Sequence, residues 1–153
     1  MFDVEYLRKC LESKRIFFEF YRFDKETVTS TQASKLLKVP LTSIAKSVLL
    51  MSENKEPVLV ILPGYKRIPQ KRLARVLGKK KLRLATKEEV LHITGYPAGG
   101  IPPFFHKNKI LTIVDKELMN NEYVIAGGGD TKTLLKVNIR DVVMIQNAKV
   151  LDI

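Results

Sequence analysis

The sequence predicts an α+β fold with a mixed, mainly antiparallel sheet. Apolar residues recur at helical spacing in some segments and form short strand-like runs in others. The two kinds of segment do not alternate as regular βαβ units, which argues against a parallel α/β sheet. With 153 residues, 45% of them hydrophobic, the chain can build one core and has no room for a second. We therefore expect a compact single domain over residues 1–153.

Apolar stripes between capping and terminating residues predict helices at residues 3–14, from Thr29 or Ser30 to Pro40, from Pro69 to Gly78, and from Thr86 to Ile93. Short apolar runs predict strands at Ile16–Phe20, Ser47–Met51, Pro57–Leu62, Ile110–Asp115, Tyr123–Ala126, Leu134–Asn138, Val142–Gln146 and Lys149–Ile153. The second and third of these strands flank a polar, acidic turn, which predicts a hairpin. In the helix after Pro69, the stripe predicted to be buried consists of Leu73, Val76 and Leu77.

The charge points to an anionic partner, of which nucleic acid is the commonest. Lys and Arg number 27 against 16 Asp and Glu, a net charge of +11. Nine basic residues and no acidic residue lie between Lys66 and Arg83. We interpret this stretch as a surface that contacts phosphates, and a solvated basic face is the alternative. The residues predicted to contact nucleic acid are Lys66, Arg67, Lys71, Arg72, Arg75 and Lys79.

Several classes of protein are not indicated. No apolar run approaches the length of a membrane span, and the charged N-terminal residues do not resemble a signal peptide, so a cytoplasmic location is expected. Cys10 is the single cysteine, which rules out an internal disulfide framework. The chain lacks a zinc-ligand set, a P-loop and a nucleophile elbow. We therefore predict no metal, no cofactor and no covalent nucleophile.

Two glycine-rich segments favour a pocket lined by main-chain groups. Residues 95–106 contain three glycines, three prolines and three aromatic residues, with no charge before His106. Residues 127–129 are all glycine and follow the strand-like run 123–126. Glycine permits a close approach of backbone or ligand, and proline fixes the path of the chain. A purely structural turn remains the alternative for both segments.

Lys46 precedes the strand Ser47–Met51, and alternation places it on the same face as Val48 and Leu50. If this face is turned to the core, the ammonium needs an anion, because burying an unpaired charge is costly. Otherwise, Lys46 merely begins the strand and its ammonium reaches solvent.

Three blocks occur in a recognisable order from about Thr29 to Val143. The first is Ala33–Val39 followed by the strand that contains Lys46. The second is Gly95–Phe104, with the pattern G-x-x-x-G-G-[VI]-x-P-F, and the third has Asp115 and Leu118 followed by Ala126-Gly127-Gly128. Together these blocks resemble the YbaK/prolyl-tRNA synthetase-associated editing domain family.

This resemblance implies a barrel-like sheet surrounded by helices and the hydrolysis of mischarged aminoacyl-tRNA, such as alanyl- or cysteinyl-tRNA specific for proline. The implied partners are the tRNA acceptor end and a synthetase. Lys46 would hold the terminal phosphate or ribose, and Gly99 and Gly100 would supply main-chain N–H donors to the developing oxyanion. The residues implied to line the substrate pocket are Gly95, Tyr96, Pro97, Pro103, His106, Gly127, Gly128 and Asp130.

The sequence departs from the family pattern at particular positions. Phe105 replaces the glycine that commonly follows Pro-Phe, and Tyr21 lies only near the tyrosine that some relatives place before the first helix. Asp130 is the acidic residue nearest to the late glycines. Two other functions therefore stay open: a non-catalytic module that binds a tRNA end or a protein, and a generic RNA-binding protein.

Overall fold

The computed structural model describes residues 1–26 and 29–153 and has the predicted α+β character. Its helices are α1 (Val4–Lys14), α2 (Ser30–Leu37), α3 (Gln70–Val76), α4 (Lys87–Thr94) and α5 (Ile139–Gln146). Its strands are β1 (Phe18–Arg22), β2 (Ala45–Ser52), β3 (Pro57–Pro63), β4 (Leu82–Leu84), β5 (Leu111–Asp115), β6 (Tyr123–Gly127), β7 (Thr133–Asn138) and β8 (Lys149–Leu151). Short 3₁₀ turns occupy Leu41–Ser43 and Lys116–Asn120.

The strands form two open sheets. One is antiparallel, in the order β1-β7-β6. The other has the order β4-β2-β3-β5-β8 and is mixed: β2 pairs antiparallel with β3 and β4, whereas β5 pairs parallel with β3 and β8. An isolated parallel bridge between Ile44 and Ile125 joins the sheets. The described strands do not close on themselves, so the expected barrel-like sheet is not confirmed.

The five-stranded sheet is buried on both faces, as β3 shows. Leu59 and Ile61 pack into the main core with Leu7 and Leu11 of α1. The alternating residues Val58, Val60 and Leu62 pack on the other face, against Leu73 of α3. A strand covered on both sides needs a continuous apolar sequence, which explains the unbroken run in β3.

The predicted helix ends agree well with the structure where a side chain caps the backbone. Thr86 and Glu89 form the expected capping box at the start of α4, and Thr29 forms one with Gln32 at the start of α2. Gly95 ends α4 in the left-handed conformation, with φ of 86°. These termini fix where the loop after α4 begins.

The predicted strand Val142–Gln146 is wrong, because residues 139–146 form helix α5. The Asn138 side chain caps the helix by accepting from the Arg140 N–H, and Ile139 and Val142 are buried one turn apart. A short run of β-branched residues is ambiguous between strand and buried helix, and here the cap and the packing decide.

Smaller corrections concern β1, β4 and α3. Strand β1 begins at Phe18, two residues later than expected, and β4 was not predicted. In α3, Ala74 is buried beside Leu73, whereas Val76 is 58% exposed, contrary to the predicted stripe. In the described ranges, no helix is both long enough and apolar enough to cross a membrane.

Candidate functional site

A transverse row of residues crosses from one sheet to the other. Tyr21 of β1 is paired with Leu134 of β7, and Leu134 is paired with Gly127 of β6. The parallel bridge between the sheets then brings Lys46 level with Gly127, because each lies two residues beyond its bridged residue. Lys46 is in turn paired with Leu62 of β3. The bridge therefore places the predicted functional lysine and the second glycine segment at the same level of two neighbouring chain segments.

This row lies on the side of the sheets that α2 covers. Ile44 and Ile125 form a small apolar cluster with Ala33 of α2, and Tyr21 and Leu134 pack against that cluster. Alternate residues of a strand share a face, so Lys46 lies on the same side as Ile44. The helix thus forms one boundary of the site.

Lys46 is partly buried and free to bind an anion. Burial lowers the pKa of its ammonium below the ordinary lysine value. Within residues 1–26 and 29–153, its Nζ makes no hydrogen bond to a side chain or main-chain group and no ion pair. A charge held in this way loses hydration without gaining a protein partner, which favours the approach of a phosphate or another anion.

The two glycine-rich segments are in direct main-chain contact. The Gly129 N–H donates to the Gly100 carbonyl over 2.9 Å. A Cβ at Gly100 would lie 2.6 Å from the Asp130 Cα, and a Cβ at Gly127 would lie 2.2 Å from the Ile101 carbonyl oxygen. Both positions therefore need glycine for close approach. The contact brings the loop after α4 to the end of β6 that is level with Lys46.

The main-chain donors in these segments differ in availability. The Gly100 N–H donates to the Pro97 carbonyl, and the Gly128 N–H donates to the Thr133 carbonyl, each over 3.0 Å. In the part of the chain that the structure describes, the Gly99 N–H has no acceptor, and Gly99 is exposed. Of the two glycines predicted to be catalytic, Gly99 therefore has the free donor, and Gly100 makes the structural contact.

His106 anchors the loop through its ring. Its Nε2 lies 2.7 Å from the Pro102 carbonyl oxygen, and because a carbonyl only accepts, Nε2 carries the hydrogen. Burial lowers the pKa of His106 to about 4. The hydrogen bond to Pro102 raises this pKa, but its effect is smaller than that of burial. The imidazole is therefore neutral at physiological pH, and the geometry gives it a positioning role.

Phe105 occupies a backbone conformation that suits glycine. Its φ is 60°, in the left-handed region where a side chain is disfavoured. The family resemblance places a glycine at this position. In this chain, the departure from the family pattern is thus a phenylalanine in a left-handed turn.

A comparison with known families identifies the family of this chain. The model of the aminoacyl-tRNA editing domain family matches residues 24–145. This chain belongs to that family. The match includes the Lys46 strand and both glycine segments, so the resemblance predicted from the sequence is confirmed.

Individual relatives agree with this assignment. The chain is 39% identical, over 90 residues, to a proline–tRNA ligase of Aquifex aeolicus. This match covers 59% of the chain and 16% of the ligase. It therefore spans less than a fifth of that enzyme. A candidate trans-editing enzyme for prolyl-tRNA synthetase has a similar structure, with a TM-score of 0.86, 25% identity, and coverage of 97% of this chain and 94% of the other. A hypothetical protein of known crystal structure gives a TM-score of 0.85 at 30% identity, with coverage of 95% and 97%.

Two residues implied to line the pocket of the editing domain pack inside the protein. The Tyr96 side chain is fully buried, and its hydroxyl donates to the Phe105 carbonyl over 3.0 Å. The Gly95 carbonyl accepts from the Phe2 N–H, and a Cβ at Gly95 would lie 2.6 Å from the Phe2 ring. Both therefore stabilise the base of the loop, and a contact with substrate stays a prediction for them. Pro103 is also buried, and Pro97 is partly buried.

Asp130 of the editing domain shapes the turn after the glycines. Its carboxylate accepts from the Lys132 N–H over 2.9 Å and lies 3.3 Å from the Arg22 guanidinium. Arg22 also borders a cleft of about 800 Å³ between the end of β1 and α2, whose lining includes Gln32 and Lys35. Arg22, Gln32 and Lys35 were not predicted as site residues, because they lie in no motif and only the pairing of β1 with β7 brings Arg22 to the glycines.

Half of the residues predicted to contact nucleic acid bind groups of the protein itself. Lys66 Nζ lies 2.9 Å from Asp115 and 3.2 Å from Glu117, and Lys79 Nζ lies 3.0 Å from Glu56. Arg72 donates to a main-chain carbonyl near the C-terminus over 2.7 Å. The remaining predicted cations, at positions 67, 71 and 75, are exposed.

Proposed function

We propose that this editing domain hydrolyses the ester bond of mischarged aminoacyl-tRNA. The proposed substrate is tRNA-Pro that carries a small amino acid such as alanine or cysteine. One observation supports this proposal above others: the ammonium of Lys46, which has no partner among the described residues, lies level with Gly127, where the two glycine segments touch. A site that combines the Lys46 cation with many main-chain groups suits a substrate that ends in phosphate, ribose and an activated ester.

In this mechanism, Lys46 binds the terminal phosphate or ribose and so places the ester beside the loop after α4. Water attacks the ester carbonyl carbon, and the carbonyl oxygen becomes an oxyanion. The exposed N–H of Gly99 is the donor that can stabilise this charge. The bond from carbon to the ribose oxygen then breaks, and the proton from water passes to that oxygen. The products are the free amino acid and uncharged tRNA.

The absence of a predicted nucleophile fits this chemistry. An aminoacyl ester is already activated, so orientation of the reactants and one preorganised donor supply much of the rate. Removing one oxyanion donor from a hydrolase lowers kcat by roughly 100- to 1,000-fold. We assign an effect of that order to the Gly99 N–H.

The rigid loop gives a physical basis for selecting small amino acids. Pro102 and Pro103 are buried, and His106 fixes the Pro102 carbonyl. Proline and a buried anchor limit the expansion of the loop, so a large side chain would have to displace main chain. A pocket of fixed size that excludes large side chains is how editing enzymes act as a sieve.

The test is the release of amino acid from alanyl-, cysteinyl- and seryl-tRNA-Pro, measured at one salt concentration. We expect the wild-type chain to deacylate at least one of them and Lys46→Ala to lose this activity. The matched control is Lys149→Ala, at an exposed position on β8. Full activity of Lys46→Ala would overturn the proposal. Binding of the acceptor end without turnover would support the non-catalytic module, and equal affinity for any RNA would support the generic RNA-binding protein.

A further inference from the structure

Seven of the nine cations from Lys66 to Arg83 fall into two groups, and the other two are Arg72, which donates to the Asp152 carbonyl, and the exposed Arg67. Those in the first group already have carboxylate partners: Lys66 binds Asp115, Lys79 binds Glu56, and Arg83 forms two parallel bonds to Glu89 of 2.8 and 3.0 Å. Charges neutralised in this way contribute little to the binding of an external anion.

The second group converges on one groove. Lys71 and Arg75 of α3 face Lys80 and Lys81, which precede β4, across a groove of about 510 Å³. Over the described ranges, none of these four side chains makes an ion pair. The nearby carboxylate of Glu53 accepts from the main-chain N–H of Lys80. Four like charges that share a groove repel one another, so an anion with several charges is the ligand that this arrangement favours.

The rest of the groove lining indicates what kind of anion fits. Besides the cations, it consists of Gln70, Ala74 and Leu82, with no aromatic side chain. Bases of single-stranded RNA are usually held by stacking on aromatic rings, and these are absent from this lining. Charged and amide donors without a stacking surface suit the phosphates and sugars of a paired strand.

The groove lies on the same side of the sheet as Lys46. Leu73 and Ala74 of α3 pack against Leu50 of β2, and alternation places Leu50 on the same face as Lys46. The groove adjoins the far end of β2, where Met51 is paired with Arg83 of β4. Lys46 and Met51 are five residue steps apart along the strand, a distance of about 17 Å. One nucleic-acid strand covers that distance with about five stacked nucleotides.

We propose that the groove formed by Lys71, Arg75, Lys80 and Lys81 binds the phosphodiester backbone of the tRNA acceptor stem, just before the unpaired end that reaches Lys46. The identity of the RNA rests on the proposed function. Support for the groove comes from the separation of paired from unpaired cations. The groove adds Lys80 and Lys81 to the residues that the sequence predicted to contact nucleic acid. In this arrangement the stem is anchored at a fixed distance from the ester.

The experiment measures the affinity for uncharged tRNA and for an acceptor-stem hairpin between 50 and 200 mM salt. Two variants remove groove charges in pairs: Arg75→Gln/Lys81→Gln and Lys71→Gln/Lys80→Gln. The control, Lys116→Gln/Lys149→Gln, removes two exposed charges, one in the 3₁₀ turn that follows β5 and one in β8. Strand β8 is the sheet edge opposite β4. Thermal unfolding verifies that all three variants are folded.

We expect each groove pair to weaken binding by about tenfold or more and to reduce the slope of log affinity against log salt by about 2. The control is expected to change both quantities much less. Equal behaviour of groove and control variants would overturn the inference. Deacylation by the wild-type chain is measured separately: salt-dependent binding through the groove without hydrolysis would contradict the proposed function and support the groove.

Discussion

Gly129 and Gly100 are joined by a main-chain hydrogen bond of 2.9 Å that connects two segments almost thirty residues apart in sequence. Around this bond, Gly127 faces the Ile101 carbonyl, and Gly100 faces the backbone of Asp130. The site is therefore built from backbone packed on backbone. Its shape depends on the absence of side chains at particular positions, and this makes it sensitive to a single added methyl group.

Gly127→Ala is expected to destabilise the protein by about 2 kcal/mol or more, because its Cβ would lie 2.2 Å from the Ile101 carbonyl oxygen. Urea unfolding measures this change. Gly78→Ala is the comparison: its Cβ would meet no atom within 4 Å, and only its φ of 69° is unfavourable. We expect the smaller cost, about 1 kcal/mol, for Gly78→Ala. Equal costs would show that the contact with Ile101 relaxes without penalty.

Phe105 offers a test of backbone strain within the same loop. At φ of 60°, glycine is expected to be more stable than alanine by about 1 kcal/mol. Comparing Phe105→Gly with Phe105→Ala isolates this term, since both variants remove the aromatic ring that packs on Phe104. The measurement is the difference in their free energies of unfolding in urea. A more stable alanine variant would show that the turn leaves the left-handed region.

Local signals explain most of the fold that the sequence could predict. Thr86 with Glu89, the hairpin of β2 and β3, and Gly95 at the end of α4 depend on residues close in sequence. Helix α5 was missed because its short run of β-branched residues also suits a strand, and the Asn138 cap decides between them. Strand β4 was missed because its three residues, Leu82–Leu84, leave too short a pattern.

For the candidate site, the sequence showed which residues are chemically unusual, but it did not show which contacts each of them makes. Lys46 and the glycines were selected by their unusual chemistry, and the structure brings them to adjoining strands. The burial of Tyr96 and the bond of Lys66 to Asp115 depend on tertiary contacts between distant segments. The sequence gives no measure of which cations are already paired, so it could not separate structural cations from free ones.

His106 is expected to make stability depend on pH. The pKa of His106 is about 4 in the folded chain and 6.5 as an ordinary histidine, so the unfolded chain binds the proton first. The contribution of neutral His106 to the free energy of unfolding is complete above pH 6.5. It falls as the pH is lowered from 6.5 to 4 and changes no further below 4. The loss is about 3 kcal/mol. Urea unfolding between pH 7.5 and 5 measures the first part of this loss, about 2 kcal/mol, before most carboxylates titrate. His106→Gln removes the titrating group, so a slope equal to that of the wild type would contradict this origin.

Lys66→Met separates a structural role from an RNA-binding role. Asp115 is fully buried, and its carboxylate depends on Lys66 for an opposite charge. Removing that charge is expected to destabilise the protein by about 3 kcal/mol in urea unfolding. Arg67→Met, at the exposed neighbouring position, is expected to change stability by less than about 0.5 kcal/mol. If Lys66→Met remains stable but binds tRNA more weakly, Lys66 contacts nucleic acid, as the sequence predicted.

Lys46→Met is expected to increase stability while it removes activity. The ammonium of Lys46 is desolvated without a described partner, and its pKa is lowered, so the charged form is less favourable in the folded chain than in the unfolded chain at pH 7. Methionine keeps the apolar stem and removes this charge, which is expected to stabilise the fold by about 0.5–1 kcal/mol in urea unfolding. Deacylation is expected to fall by about 100-fold or more, since the tRNA end is no longer held. Lys149→Met, on the exposed edge strand, serves as the matched control and is expected to change neither quantity. A destabilised Lys46→Met would mean that the ammonium has a stabilising partner in the folded protein, and the site would then be a structural one.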